Sequence, residues 1–411
     1  MEIDTRIASS RNIKTPSAKF IIVFYIILRS GVVFIMTQDR FFNYLDACFM
    51  VFLFFVILTE RRRLNSGQIV ALCFIVAGIL FAQLIHNDPA YNTNISLILN
   101  LCLTFLVANI VDFDDFKKHF IRIIIVLASL SLALFLLQPL LYGDYSKAPI
   151  IVIQDTAHYY NLWVWVSRLE QPARNSGVFW EPGAYQVFLN LALLFVMLDK
   201  TLKRQYQILL AIILTITIFT TYSTTGYIVC ALVYLATVAA NMTKLSPRNL
   251  AVGTSGLLLL AGVSVILINN ETIVGKFGVN NPNYGSFQDR YNATQLDIQL
   301  MNDHILFGVG FGDYLQERVT DSYQTGTYAI TTPNTYSIIG ASLGIFALVF
   351  YSIQHLKLTW NLRSSLASFF LISLVIILLF STENFLYFKL PHILFWYGFM
   401  MNSKTLPLVK S

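Results

Sequence analysis

Charge is scarce in this sequence. Asp, Glu, Lys and Arg make up 12% of its 411 residues, against 56% hydrophobic ones, where soluble domains carry roughly 25% charged residues. A chain so composed lacks the polar surface that a water-soluble fold of this length needs. Cysteine is scarce too: Cys48, Cys73, Cys102 and Cys230 all fall inside apolar runs, where a thiol behaves as a small hydrophobe, so no disulfide framework or metal cluster is implied. The net charge of +6 comes without the basic stripe that nucleic-acid binding requires. No small-residue cleavage site follows the first apolar run, which is therefore read as an uncleaved span. No internal repeat joins the two halves.

What is present is apolar sequence in runs long enough to cross a bilayer, about 17 to 25 residues each. They fall at 19–36, 41–58, 68–85, 93–111, 119–142, 178–198, 205–220, 223–240, 249–268, 334–355, 364–382 and 385–401. The chain reads as an all-α polytopic membrane protein of about twelve transmembrane helices, a single integral domain over residues 1–411. Most of the 28 lysines and arginines, including Arg61, Arg62, Arg63, Lys117, Lys118, Lys203, Arg204, Lys357 and Arg363, fall on one set of alternate loops. That side is cytoplasmic by the positive-inside rule, and both termini lie on it.

Two connections, 143–177 and 269–333, are long enough to hold structure of their own, and both emerge on the extracytoplasmic face, where function is expected. The second predicts a short amphipathic helix from Asp289 to Met301 lying near the membrane surface, followed by the glycine-rich Gly308, Gly310 and Gly312. Mass concentrated in these two connections disfavours an inverted-repeat transporter.

The segment Arg174-Asn175-Ser176-Gly177-Val178-Phe179-Trp180-Glu181-Pro182-Gly183-Ala184-Tyr185 drives an acid and a proline into the outer end of an apolar run. A carboxylate there faces a bundle interior or a watery cavity and marks a functional site. The competing reading is structural, with Glu181 part of the cap as Pro182 begins a helix. Arg168 and Arg174 precede it on the same face. Guanidinium groups hold diphosphate oxygens through paired, charge-assisted hydrogen bonds, although arginines flanking a span also serve as interfacial anchors.

In the second connection Arg290 opens the expected helix and His304 closes it. His304 is a candidate for the active site or for a local cap. Arg29 and Asp46 lie at similar depth in the first two spans and are expected to pair, since an unpaired charge there is expensive. Glu383 adds a carboxylate to the outer face. Most of the 33 Phe, 21 Tyr and 5 Trp are belt or packing residues, with Tyr159, Tyr160, Trp163 and Trp165 available to stack on sugar rings.

At Gly177-Val178-Phe179-Trp180-Glu181-Pro182-Gly183, preceded by Arg174, the chain resembles the Wzy-type O-antigen and exopolysaccharide polymerases, in which a G-x-F-x-E-P segment opens a mid-chain span. Tyr222-Ser223-Thr224-Thr225-Gly226-Tyr227 looks like that family's Ser-x-x-Gly element. Arg290, His304 to Gly312 and Asn334-Thr335-Tyr336 look like the closing half of its large outer loop. The resemblance spans roughly residues 165 to 350. The related O-antigen ligases usually carry a His-Asn pair where this loop re-enters the membrane. Here the segment reads Thr331-Thr332-Pro333-Asn334, which counts against a ligase and leaves His304 as the loop's one histidine.

The resemblance implies a GT-C-like enzyme of the bacterial cytoplasmic membrane. It would transfer a growing glycan from one undecaprenyl diphosphate to a second lipid-linked repeat unit, with membrane lipids around it and a chain-length regulator as a possible partner. Glu181 is the expected base, and His304 a second catalytic candidate without a histidine-dependent mechanism being carried over. Arg168, Arg174, Arg290, Asn334 and Tyr336 are the expected substrate-binding residues. No cofactor is implied. No Asp-x-Asp motif stands in an outer loop, and the Asp112-Phe113-Asp114-Asp115 cluster falls in a cytoplasmic loop expected to be solvated, so the reaction is expected to need no metal.

Overall fold

The computed structural model describes residues 16–37, 39–60, 66–85, 91–141, 150–153, 157–161, 165–168, 174–241, 284–325 and 334–401, with Leu64 and a few isolated positions between 254 and 265. Apart from those isolated positions the expected span 249–268 lies outside them, as do Trp163 and the Thr331-Thr332-Pro333 segment.

Helices dominate. The amino-terminal half holds α1 (Pro16–Leu28), α2 (Val33–Met36), α3 (Asp39–Thr59), α4 (Ser66–Ile85), α5 (Tyr91–Ile110) and α6 (Phe113–Leu141). The middle holds α7 (Pro182–Leu198), α8 (Arg204–Thr220) and α9 (Thr224–Asn241). After them come α10 (Tyr284–Asp303), α11 (Phe311–Thr325), α12 (Thr335–Leu362), α13 (Leu366–Ser381) and α14 (Lys389–Met400). Six of the described helices are long and apolar enough to cross a membrane: α3 to α6, α9 and α12. Shorter apolar helices cover Ser17–Leu28, Pro182–Leu198, Arg204–Thr220 and Leu366–Ser381.

One small sheet accompanies the helices. The first long connection carries a three-stranded antiparallel meander, β1 (Ile150–Ile153), β2 (Ala157–Asn161) and β3 (Val166–Arg168), in the order β1-β2-β3. β1 is β-branched throughout and β2 carries Tyr159 and Tyr160, and the inner face closes on Val33, with Tyr159 and Val166 buried there. Tyr159 donates its hydroxyl to the Trp180 carbonyl at 2.8 Å, and Trp165 donates its indole N–H to Asn175 Oδ1 at 3.2 Å. Both rings are thus buried props of the loop and not open sugar platforms.

α7 is the axis of the bundle. It is buried from Pro182 through Val196 except at Gly183 and packed by α6, α8 and α9, with its two buried amides, Asn190 and Gln186, hydrogen-bonded to each other at 2.9 Å. By contrast α3 and α4 turn Phe52, Phe54, Phe55, Val70 and Phe74 outward, the face that lipid covers in a membrane helix.

α12 is not a single straight span. Tyr336 and His355 stand 19 residues apart, about 28 Å in a straight helix, yet the Tyr336 hydroxyl lies 2.7 Å from His355 Nδ1. The helix reverses at Gly344, whose φ of 83° and ψ of 177° are open to glycine. Backbone groups near this break are taken up by the turn after α10: Ile345 N–H donates to the Ile305 carbonyl, while Val309 and Gly310 N–H donate to the carbonyls of Ala341 and Ser342. The glycine-rich turn therefore approaches the backbone of α12. A side chain at Gly308 would collide with Ser342 and Leu343.

The expected helix beyond Asp289 is present but longer, as α10, and it runs beside the first limb of α12. Ala293, Asp297 and Leu300 form its buried stripe at i, i+4 and i+7. The acidic cluster at the start of α6 is not simply solvated: Lys19, itself buried, contacts Asp115 at 2.5 Å and Asp112 at 3.7 Å.

Candidate functional site

Residues 174–181 form an irregular strap held from three sides. Val166 N–H donates to the Gly177 carbonyl, Val33 N–H to the Val178 carbonyl, and Asn175 N–H to the Thr220 carbonyl. The Asn175 side chain ties the strap to α8, donating to Thr220 Oγ1 at 2.9 Å while accepting from Gly177 N–H at 3.0 Å. The strap ends at Glu181, which occupies the N-cap position of α7 in extended conformation with Pro182 in the first turn. Its carboxyl group makes no capping hydrogen bond. Glu181 thus holds the cap position with its backbone while its side chain is turned to other partners.

Those partners define the site. Glu181 Oε1 accepts from Trp180 Nε1 at 3.1 Å, and its carboxyl group hydrogen-bonds that of Glu383. Glu383 lies in the connection between α13 and α14 and is buried. Burial, the charge of Glu181 and the hydrogen bond between them hold the Glu383 carboxyl well above the usual carboxylate range, with Arg290 and Arg174 pulling the other way. Two carboxyl groups in such contact favour holding a proton between them, because the charges of two adjacent carboxylates repel. Gly183 makes the pairing possible: a methyl group there would overlap Glu383 Oε1.

Two arginines face the pair, Arg174 from the start of the same strap and Arg290 from α10. Arg290 Nη2, on α10, lies 3.9 Å from Glu383 Oε1, while its Nη1 donates to the Thr382 carbonyl at 3.1 Å. Arg174 Nε donates to the Thr221 carbonyl at 3.0 Å, which fastens it to the turn between α8 and α9. Burial lowers the Arg174 pKa, and the charges of Glu181 and Glu383 oppose that shift. Arg174 is partly buried and Arg290 about half exposed, so the cluster reaches outward along Arg290. Strap, α8–α9 turn, α10 and α13–α14 connection meet at one end of the bundle.

The structure distributes the other expected residues differently. Arg168 ends β3, and its side chain lies outside those described. Asn334 caps α12, accepting from the N–H groups of Tyr336 and Ser337. Tyr336 is turned to His355 and lines a cavity of about 190 Å³ between α12 and α13. The neighbour between them touches the site instead: Thr335 Oγ1 donates to the Glu383 carbonyl at 2.8 Å and accepts from Phe385 N–H at 2.9 Å. His304 is exposed at the far end of α10. It stands about 21 Å from Arg290 along the helix axis at 1.5 Å per residue, so it is not brought to the carboxyl pair.

The expected ion pair between Arg29 and Asp46 is present, with Nε and Nη2 contacts to Oδ2 at 3.1 and 2.8 Å. A third member was not legible in the sequence: Lys389, buried at the start of α14, donates to Asp46 Oδ2 at 2.8 Å and to Asn100 Oδ1 at 2.8 Å. Trp180 links this charge cluster to the carboxyl pair, since its ring stacks on Phe388 with centroids 4.7 Å apart.

Residues 209–352 match the family model described as O-antigen ligase. The matched stretch contains α9, α10, α11 and most of α8, and it includes Arg290, His304, Asn334 and Tyr336. Arg174, Glu181 and Glu383 lie outside it. No curated protein matches the chain.

Proposed function

We propose that the chain is a membrane glycosyltransferase of polysaccharide assembly, a polymerase working at the extracytoplasmic face. It transfers a growing undecaprenyl-diphosphate-linked glycan onto the nonreducing-end sugar of a second lipid-linked repeat unit. The observation that carries this reading is the hydrogen-bonded carboxyl pair, Glu181 with Glu383, flanked by Arg174 and Arg290.

Glycosyl transfer to a hydroxyl asks for two things. A base takes the acceptor proton as the oxygen attacks the anomeric carbon, and fixed positive charge stabilises the departing diphosphate. Glu181 is the base in this reading, oriented by the Trp180 N–H and by the proton it shares with Glu383. Arg290 and Arg174 face the diphosphate, with Arg168 a further candidate from the neighbouring meander. The same reading expects about twelve crossings in a GT-C-like arrangement, both termini cytoplasmic, the bacterial inner membrane as location, and a chain-length regulator as partner.

The match to the O-antigen ligase family model favours a second reading, in which the same lipid-linked donor is transferred to a different acceptor. Thr331-Thr332-Pro333-Asn334, with no histidine before its asparagine, supports the polymerase. The test is a deletion strain complemented with the native chain or with Glu181→Gln. A polymerase leaves surface glycan of one repeat unit when deleted, and the native chain restores a ladder that Glu181→Gln does not. Loss of all surface glycan with accumulation of long lipid-linked chains assigns the ligase, and unchanged glycan overturns both readings.

A further inference from the structure

Among the described residues Tyr222 is the one non-glycine residue with a positive φ, 48°. A side chain in this left-handed region crowds its own backbone, and glycine or asparagine takes the position with less strain. Strain of this kind persists only where the surroundings over-determine it, and it gathers at binding sites.

Here the surroundings do so. Thr221 and Tyr222 N–H groups donate to the carbonyls of Ile218 and Phe219, Ser223 N–H donates to Thr221 Oγ1, and Gly226 N–H to Ser223 Oγ. The carbonyl of Thr221 receives Arg174 Nε at 3.0 Å. The turn is thus locked to the arginine that faces the carboxyl pair, and Tyr222 is the next residue. The residue is 46% exposed, and no hydrogen bond or ring contact among the described residues engages its side chain. An aromatic anchor in a membrane interface needs exposure alone. It does not need a left-handed backbone clamped to the site.

We propose that Tyr222 is a sugar platform, a binding residue whose phenol ring stacks against the C–H face of a pyranose ring of the glycan substrate and positions it beside Arg174 and Glu181. A phenol is suited to this task. It offers a flat apolar face together with a polar tip, at the cost of few rotamers. The proposal rests on the glycosyl-transfer reading.

The test uses the full chain in proteoliposomes with undecaprenyl-diphosphate-linked oligosaccharide extracted from membranes of the source cells. Tyr222→Phe, Tyr222→Gly and Tyr222→Ala are compared with Glu181→Gln. The expected result is that Tyr222→Gly melts at or above the native temperature, since strain is relieved, while its KM rises about five- to tenfold, the range of one lost aromatic stack. Tyr222→Ala is expected to raise KM equally, and Tyr222→Phe to keep the native KM. Native KM in the Gly and Ala variants, equal loss in the Phe variant, or a lowered melting temperature in Tyr222→Gly each overturns the platform. Native turnover by Glu181→Gln overturns the underlying reading instead, whatever the Tyr222 variants do.

Discussion

Glu181 and Glu383, from the start of α7 and the connection after α13, meet in one hydrogen bond between their carboxyl groups. Neither is a helix cap by side chain, and each is held by features that suit this contact and little else. Pro182 opens α7 directly behind Glu181, Gly183 leaves space for the Glu383 carboxyl, and Thr335 pins the backbone of Glu383 from α12.

The first prediction concerns pH. Burial and the neighbouring Glu181 hold the folded-state pKa of Glu383 well above the ordinary glutamate value. A group with a raised folded pKa contributes its stability in full below the unfolded value and loses it as pH rises through the folded value. The native chain in detergent is therefore expected to lose melting temperature on passing from mildly acidic to alkaline pH. Glu383→Gln, which keeps a hydrogen-bond donor and cannot ionise, is expected to lose less. A melting-temperature gap between the two that does not change with pH sinks the shared proton.

Gly183→Ala tests the space made for that contact. An extra methyl group near the start of a helix ordinarily stabilises it by up to about 1 kcal/mol, but here it displaces Glu383. Transfer is expected to fall about a hundredfold, the scale of a misplacement near 1 Å at a reacting centre. Steady-state turnover and the amount of folded protein are measured together, and undiminished turnover refutes the assignment.

His304→Ala is expected to change turnover by less than about twofold, as for an exposed substitution remote from the chemistry. The physical reason is the length of α10, which separates His304 from Arg290. A loss of activity matching that of Glu181→Gln would bring the imidazole back into the mechanism.

Asp46→Asn is expected to destabilise strongly, by about 3 to 5 kcal/mol, because it leaves Arg29 and Lys389 buried without their shared carboxylate. Lys389→Met is expected to cost much less, since Arg29 keeps its contacts with Asp46. Thermal unfolding of the two variants in the same detergent decides it, and equal losses contradict the arrangement.

Much of the architecture was legible one-dimensionally because membrane spans are local: a run of apolar residues is a helix wherever the backbone has no water to bond to. The exceptions have other causes. The meander between α6 and α7 is too short for a periodic signal. The reversal of α12 depends on one glycine whose backbone partners come from the turn at Ile305 to Gly310, which no pattern within α12 announces.

By itself the sequence determined the apolar helices, the unusual depth of Glu181, the pairing of Arg29 with Asp46 and the end of the bundle where arginines meet acids. Only the tertiary structure decided which of them act together. It drew Glu383 and Thr335 in from the last third of the chain, added Lys389 to Asp46, turned Tyr336 toward His355 and left His304 at the end of α10. Hydrogen bonds and burial are relations across space, and spacing along the chain carries no record of which distant backbone arrives beside Glu181.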